Sequence, residues 1–339
     1  MIAVLLVLVL LCLNVTHAQL TPAQIAAYRQ LTSPQLPKLS NLAFGWVSMS
    51  GSDPTWERIT SFAPTALVVR DLGYQTAVEG AVGRLTFGDL EVGGDFETAV
   101  VAVGPGLVKV SHFGFKSNRA HVAKFPAGYD AFTEGDAVEV GYAQRVGTVA
   151  LGASLVPQDS TRVELTKNGL PLADGALDPG LGWRMGAVVP ITSTVRMGGD
   201  YSYQADSATM HYVDPGLQMI QGSATLSSDF ITRAATVGAL WMPTKRLVSS
   251  VAYQNILVTG AALTNGRRNT DQVRAGVQYE FLPKLAARLT YIDGGMNYAL
   301  QYTSPVGIAQ VAYTHKALIN ADDILGEGHS LFAGLGLAW

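Results

Sequence analysis

The sequence predicts an all-β protein, a transmembrane antiparallel β-barrel of about fourteen strands. Three observations carry that prediction. First, the chain ends Leu331-Phe-Ala-Gly-Leu-Gly-Leu-Ala-Trp339, where apolar Leu331, Ala333, Leu335, Leu337 and Trp339 alternate with Phe332, Gly334, Gly336 and Ala338, which are mostly small. Period-two alternation marks a strand with two different faces. The continuously apolar face is the one expected to meet lipid, with the small residues turned inward. Second, strand–turn–strand units recur along the chain, with tight turns alternating with long polar connections. Third, only 14% of residues are charged, against the ~25% usual in soluble domains. Mean hydropathy is +0.22. Yet beyond the N-terminal run there is no uncharged apolar stretch of the ~18 residues that a spanning helix needs. A closed barrel is the other structure that satisfies its backbone in lipid.

The N-terminus reads as an export signal. Met1 to Leu13 is almost wholly apolar, and Thr16-His17-Ala18 puts a small residue before Gln19. This is the h-region and cleavage site of a signal peptide over 1–18, too short for a membrane span. No Lys or Arg precedes the apolar run, so its n-region charge is only the amino terminus. Cys12, the one cysteine, follows Leu11 where a lipoprotein signal needs a small residue. Lipid attachment is therefore not expected, and the mature chain has no thiol to oxidise. Over 19–41, Thr21 as N-cap and Pro22 at the first helical position start a short helix through Gln30. Ser33-Pro-Gln-Leu-Pro-Lys38 then reads as extended or turn-like. This piece is expected either to hang in the periplasm or to enter the barrel as a plug. The barrel itself is expected over 42–339.

Four hairpins define the grammar of that barrel. Val138–Tyr142 turns through Gln144–Gly147 into Val149–Leu155. Trp183–Val189 turns at Pro190–Ser193 into Val195–Tyr201. Thr236–Trp241 turns at Pro243–Arg246 into Val248–Gln254, and Val273–Phe281 turns at Pro283 into Ala286–Ile292. Proline cannot donate to a ladder, so these positions mark strand ends. The stretches Pro157–Gly180, Ala205–Phe230, Thr259–Asn269 and Gly294–His329 read as long loops. Short turns on one side and long loops on the other suit an outer-membrane barrel better than a soluble sandwich. Counting back from Trp339 gives strands near 329–339, 284–296, 269–281, 246–259, 228–243, 193–206, 180–190, 147–157, 135–144, 107–117, 95–103, 76–87, 62–71 and 42–50. Twelve strands is the alternative, because 42–50 and 95–103 are weakly patterned. The apolar side from Leu331 to Trp339 faces lipid, Trp339 serves as the assembly signal, and the carboxyl terminus lies at the periplasmic rim.

Several segments carry a resemblance. Leu181-Gly-Trp-Arg-Met-Gly-Ala-Val-Val-Pro-Ile-Thr-Ser-Thr-Val-Arg-Met-Gly-Gly-Asp-Tyr-Ser-Tyr203 repeats a glycine-aromatic strand, a Pro-containing turn and a return strand ending Ser-Tyr. Ala235–Tyr253 and Val273–Tyr291 are similar. Over roughly Gly180 to Trp339 the chain resembles the long-chain fatty-acid outer-membrane transporters, the FadL-like family that includes aromatic-hydrocarbon channels. That resemblance implies a fourteen-stranded barrel plugged by an N-terminal hatch. It implies capture of hydrophobic molecules in an apolar groove among extracellular loops, then passage into the barrel and lateral release beside a kinked strand.

The residues that bear on function are sorted accordingly. Apolar side chains in segments read as extracellular need a partner, either another loop or a hydrophobic ligand. Met210, Tyr212, Met219, Ile220, Met296, Tyr298, Leu300 and Tyr302 are the candidates to line a capture groove. Arg184, Arg196, Asp200, Arg274, Glu280 and Arg288 fall on the face opposite the apolar one. They either pair across the lumen or offer an arginine to a carboxylate headgroup. His17, His112, His121, His211, His315 and His329 show no ligand-like spacing, so no metal or cofactor is expected. Ser227-Ser228-Asp229 with His211 is the one set that resembles hydrolase chemistry, and it is too common in polar loops to carry an enzyme. A net charge of −3 without a basic stripe argues for no nucleic-acid partner. The reading expects a monomer in the bacterial outer membrane, surrounded by its lipid, assembled by the barrel-assembly machinery and passing a hydrophobic ligand. Its rivals are a general diffusion porin, which wants charged rings and a constriction loop, and a structural or secretion-accessory barrel that binds another protein.

Overall fold

The computed structural model of the protein describes residues 76–121, 128–213, 225–244, 246–260, 267–292, 295–303, 307–315 and 328–338. The expected signal peptide, the 19–41 segment, the strands expected at 42–50 and 62–71, and Trp339 lie outside the described residues. The strands are β1 (Thr76–Phe87), β2 (Leu90–Val103), β3 (Gly106–Ser117), β4 (Ala120–His121), β5 (Tyr129–Val146), β6 (Val149–Lys167), β7 (Leu170–Pro190), β8 (Val195–Tyr212), β9 (Thr225–Trp241), β10 (Leu247–Gly260), β11 (Arg267–Leu282), β12 (Leu285–Ile292), β13 (Gly295–Thr303), β14 (Gly307–His315) and β15 (Gly328–Ala338).

Each strand pairs antiparallel with its neighbours in sequence, β3 passes over the two-residue β4 to pair with β5, and β1 pairs with β15. Among the described residues, fourteen strands thus close into a ring and leave no edge to pair with another chain. The count agrees with the expected fourteen, but its membership differs. β1 meets β15 directly, with Val78 opposite Leu337 and Val82 opposite Ala333. Two strands come instead from Gly294–His329, read from sequence as a loop, which contains β13 and β14.

The other expected loops are shorter than predicted because strands run on beyond the lipid. Pro157–Gly180 forms the upper parts of β6 and β7, joined through Asn168 and Gly169. Both corner residues take positive φ, 50° and 80°, the left-handed pair whose twist matches a tight hairpin. β5 to β9 are 18, 19, 21, 18 and 17 residues long, against 8 for β12 and 9 each for β13 and β14. A tilted strand needs only about 9–11 residues to cross the hydrocarbon. One wall of the barrel therefore stands well above the membrane, while the β12–β14 wall ends at it.

Register fixes which side chains meet lipid. On β15, Leu331, Leu335 and Leu337 are 57%, 56% and 43% exposed, whereas Ser330 and Gly336 are buried. The apolar side of the last strand is the outer one, as the sequence predicts. The band continues through Val311 and Leu300 to Val277, Val251, Val237, Met197 and Leu155. Trp241, Tyr279, Phe281 and Tyr302 lie near one rim, and Tyr201, Tyr253, Tyr291 and Tyr313 higher, where two aromatic girdles are expected. On β11 the apolar run from Val273 to Phe281 stops at Asp271. There the Tyr253 hydroxyl donates to Asp271 Oδ1 at 2.6 Å, and Asn255 Nδ2 donates to the same oxygen at 2.7 Å. The turns 104–105, 147–148, 191–194, 242–246, 283–284 and 304–306 share the end that holds Ala338. The connections 88–89, 118–128, 168–169, 213–224, 261–266, 293–294 and 316–327 share the other, so all the long connections lie there together with three short ones. This sidedness puts the carboxyl-terminal end at the short-turn rim.

Inside, small apolar groups interleave with polar ones. Ala81 and Phe96 pack with Phe113 and Phe332, and Leu240 and Met242 pack with Val248. Between these clusters the inward face is hydrogen-bonding.

Candidate functional site

The inner wall is built in cross-strand rows. Asp200, Thr236, Gln254 and Gln272 lie side by side on β8 to β11. Thr290, Asn297, Thr314 and Ser330 form a similar row on β12 to β15. Each of these eight is less than a tenth exposed, and Gln254, Thr290 and Asn297 are at 0%. Arg274 Nη2 donates to Gln254 Oε1 and to Gln272 Oε1, both at 2.7 Å. Asn297 Nδ2 donates to Thr314 Oγ1 and to the Tyr313 carbonyl, each at 3.0 Å. A porin's open water channel leaves such side chains wet. Here the mid-height wall is covered.

All six sequence-predicted lumen charges take inward register. Arg274, Arg288 and Asp200 are buried, and Arg184, Arg196 and Glu280 are partly so. Arg184 Nη1 lies 3.9 Å from Glu139 Oε1, the oxygen that Ser154 Oγ approaches at 2.5 Å. Glu139 and the buried Lys109 nearby belong to this inner set and were missed from sequence. Their signal was there: Lys109 stands between Val108 and Val110, and Glu139 between Val138 and Val140, each a lone charge on the side opposite the valines. Glu280 sits at the short-turn rim, where its Oε1 accepts from the Lys284 backbone N–H at 3.1 Å.

The eight candidate groove residues are not gathered into one place. Met296, Tyr298, Leu300 and Tyr302, expected in a loop, lie on the outward face of β13. Tyr298, Leu300 and Tyr302 are half-exposed there, opposite Leu289, Ala287 and Leu285. Their alternation with Asn297, Ala299 and Gln301 is that of a lipid-facing strand. Tyr212 is partly buried at the top of β8 opposite Ala173, and Met210 holds the register position opposite Gly175. Met219 and Ile220 lie outside the described residues. The hydrolase-like set does not form. His211 Nδ1 is 3.0 Å from Thr225 Oγ1, and Ser227 Oγ is 3.3 Å from Thr209 Oγ1. Among the described residues no group of three or more His, Cys, Asp or Glu side chains is placed to hold a metal ion. A cavity of about 440 Å³ borders the projecting wall, lined by Lys116, Glu134, Asp136, Ser160, Arg162 and Asp174 among others. Lys116–Glu134 at 2.9 Å ties β3 to β5 there, and Arg162–Glu164 at 2.8 Å runs along β6.

No protein-family model and no curated protein matches the chain. Solved structures do match. The toluene transporter TodX of Pseudomonas putida aligns with a TM-score of 0.51 at 11% identity, over 85% of this chain and 96% of that one. A Pseudomonas aeruginosa FadL homologue aligns with a TM-score of 0.50 at 13% identity, over 88% of this chain and 98% of that one. The chain has the FadL-type barrel fold. The alignment spans nearly the whole of both FadL-type chains, wider than the Gly180–Trp339 region in which the sequence resemblance is carried. At this identity what is shared is the architecture, so the roles of individual residues must come from this chain's own geometry.

Proposed function

We propose that the protein is an outer-membrane channel for passive uptake of hydrophobic small molecules. The observation that carries this reading is the covered inner wall, with Gln254, Thr290 and Asn297 at 0% exposure inside a closed, lipid-belted barrel. Such a wall does not suit free diffusion of hydrated solutes. The FadL-type fold supports the same reading, since one similar structure is a toluene transporter. In this proposal the signal peptide is cleaved after Ala18, the assembly machinery reads Trp339, and the barrel works as a monomer. The cargo is a monoaromatic or a long-chain fatty acid, captured on the loop-bearing side with Tyr212 and Met210 at the top of the tall wall. For a fatty acid, Arg196 or Arg274 receives the carboxylate in a charge-assisted pair.

The test is uptake into proteoliposomes. Radiolabelled toluene and oleate should enter faster than into empty vesicles, and sugars should cause no swelling. Sugar swelling at porin rates with no gain in hydrophobic uptake would overturn the reading in favour of a diffusion pore. Arg196→Ala should slow oleate but not toluene if the arginine takes the carboxylate. Equal loss of both cargos and of folded yield would leave it a purely structural residue.

A further inference from the structure

The strand register brings together three metal-binding side chains that the sequence keeps apart. Met296 on β13 lies opposite His315 on β14, and His315 lies opposite His329 on β15. All three are in the outward register, at the end that bears the 316–327 connection. They sit one step above Tyr313 and Leu331, and each is partly exposed. Directly opposed residues on antiparallel strands have Cβ atoms about 4.5–5.5 Å apart. That spacing lets three side chains in one row converge on a single ion.

The geometry of the histidine pair is specific. The ring centroids are 5.3 Å apart. A metal–nitrogen bond of about 2.0–2.1 Å puts a ring centre about 3.2 Å from the ion, so two imidazoles in tetrahedral array have centres about 5.2 Å apart. The second ring nitrogen is also accounted for. His329 Nδ1 lies 3.0 Å from the Tyr313 hydroxyl, and the two rings stack at 11°. With Nδ1–H donating to that oxygen, Nε2 carries the lone pair. Metal-bound histidines are oriented in this way, their other nitrogen held by an outer partner.

We propose that His315 and His329, with Met296 as third donor, bind a copper ion at the base of the 316–327 connection. Two imidazoles and a thioether form a set that favours copper, above all Cu(I), because thioether sulfur is soft and does not suit the hard cations, and zinc takes its sulfur as thiolate. Tyr313 is a positioning residue that fixes the His329 tautomer. The site lies on the outer rim, away from the lumen, and does not depend on what the channel carries.

The test uses the untagged mature protein, residues 19–339, which has no thiol; it is folded in detergent and titrated anaerobically with Cu(I) against a chromophoric Cu(I) chelator. One equivalent should bind. His315→Ala and His329→Ala should each weaken it at least about 100-fold, and Tyr313→Phe about 10-fold. Met296→Leu should weaken Cu(I) about 10-fold while leaving Zn(II) affinity unchanged, which separates the thioether from a general effect on the pair. His112→Ala, on a different part of the wall, should change nothing. Heat-modifiable electrophoretic migration confirms that each variant is a folded barrel. No Cu(I) binding by the parent protein, or full affinity in a folded His315→Ala/His329→Ala double variant, would overturn the proposal.

Discussion

Replacing Ala333 by Arg puts a guanidinium on the outer face of β15, between Val82 and Val311. The structure sets how deep that charge lies. At a rise of about 3.3 Å per residue and a tilt of about 40°, Ala333 is about 13 Å above the level of Ala338, the strand's end. The apolar band of such barrels is about 25 Å tall, so Ala333 is at its middle, where Arg costs about 2–4 kcal/mol. Ala309→Arg is the matched control. It has the same parent residue and the same outward, exposed face, but lies opposite Leu335 and beside the rim residue Tyr302, about 5 Å nearer that rim than Ala333. There the cost should fall to about 0–1 kcal/mol, because the side chain reaches the interface. The assay is reversible guanidinium unfolding in short-chain phospholipid vesicles, followed by tryptophan fluorescence. Equal costs at the two positions, or no cost at Ala333, would refute the assignment of this face to lipid and with it the membrane barrel.

Three further outcomes follow from the geometry. Arg274→Ala leaves the Gln254 and Gln272 carbonyl oxygens buried without their donor, at about 1–3 kcal/mol each, and Arg274→Lys should recover part of the loss in the same titration. Lys284 holds φ at 72° in the turn after Pro283, a conformation that costs a non-glycine residue about 1–2 kcal/mol. Lys284→Gly should therefore raise stability by about 1 kcal/mol, once the greater freedom of glycine in the unfolded chain is subtracted. Asp271, above the lipid band, has its carboxyl held below the usual value of 3.8, first by the Tyr253 hydroxyl and then by Asn255. A depressed folded value stabilises the fold above pH 3.8 and loses that contribution as pH falls below it through the folded value. Between pH 5 and 2 the unfolding midpoint should drop less in Asp271→Asn than in the parent; identical slopes would count against the bond.

Much of the fold was legible because lipid imposes a one-sided code. Wherever a strand crosses the membrane, its outer residues must be apolar, so Val273, Ala275, Val277, Tyr279 and Phe281 read directly as a face. Above the lipid the code lapses. β6 and β7 beyond Pro157 carry charge on their outer face, Arg162, Glu164 and Asp174, and looked like loop although the ladder holds them as strand. β13 and β14 were passed over for a different reason. Their inward residues Asn297, Gln301 and Gln310 are polar because they line the inner wall, and polar residues flanked by glycines at 294, 295 and 307 resemble a loop until the alternation of Tyr298, Leu300 and Tyr302 is read.

By itself, then, the sequence determined a barrel, its lipid face and the end on which its short turns lie, since each follows from local alternation and turn chemistry. Closure was decided only in three dimensions, because which strand meets β1 depends on long-range register that no local window contains. The same holds for contacts between strands. Hydrogen-bonded ladders set His315 directly opposite His329, and they bring Glu139 to Arg184 across the intervening β6.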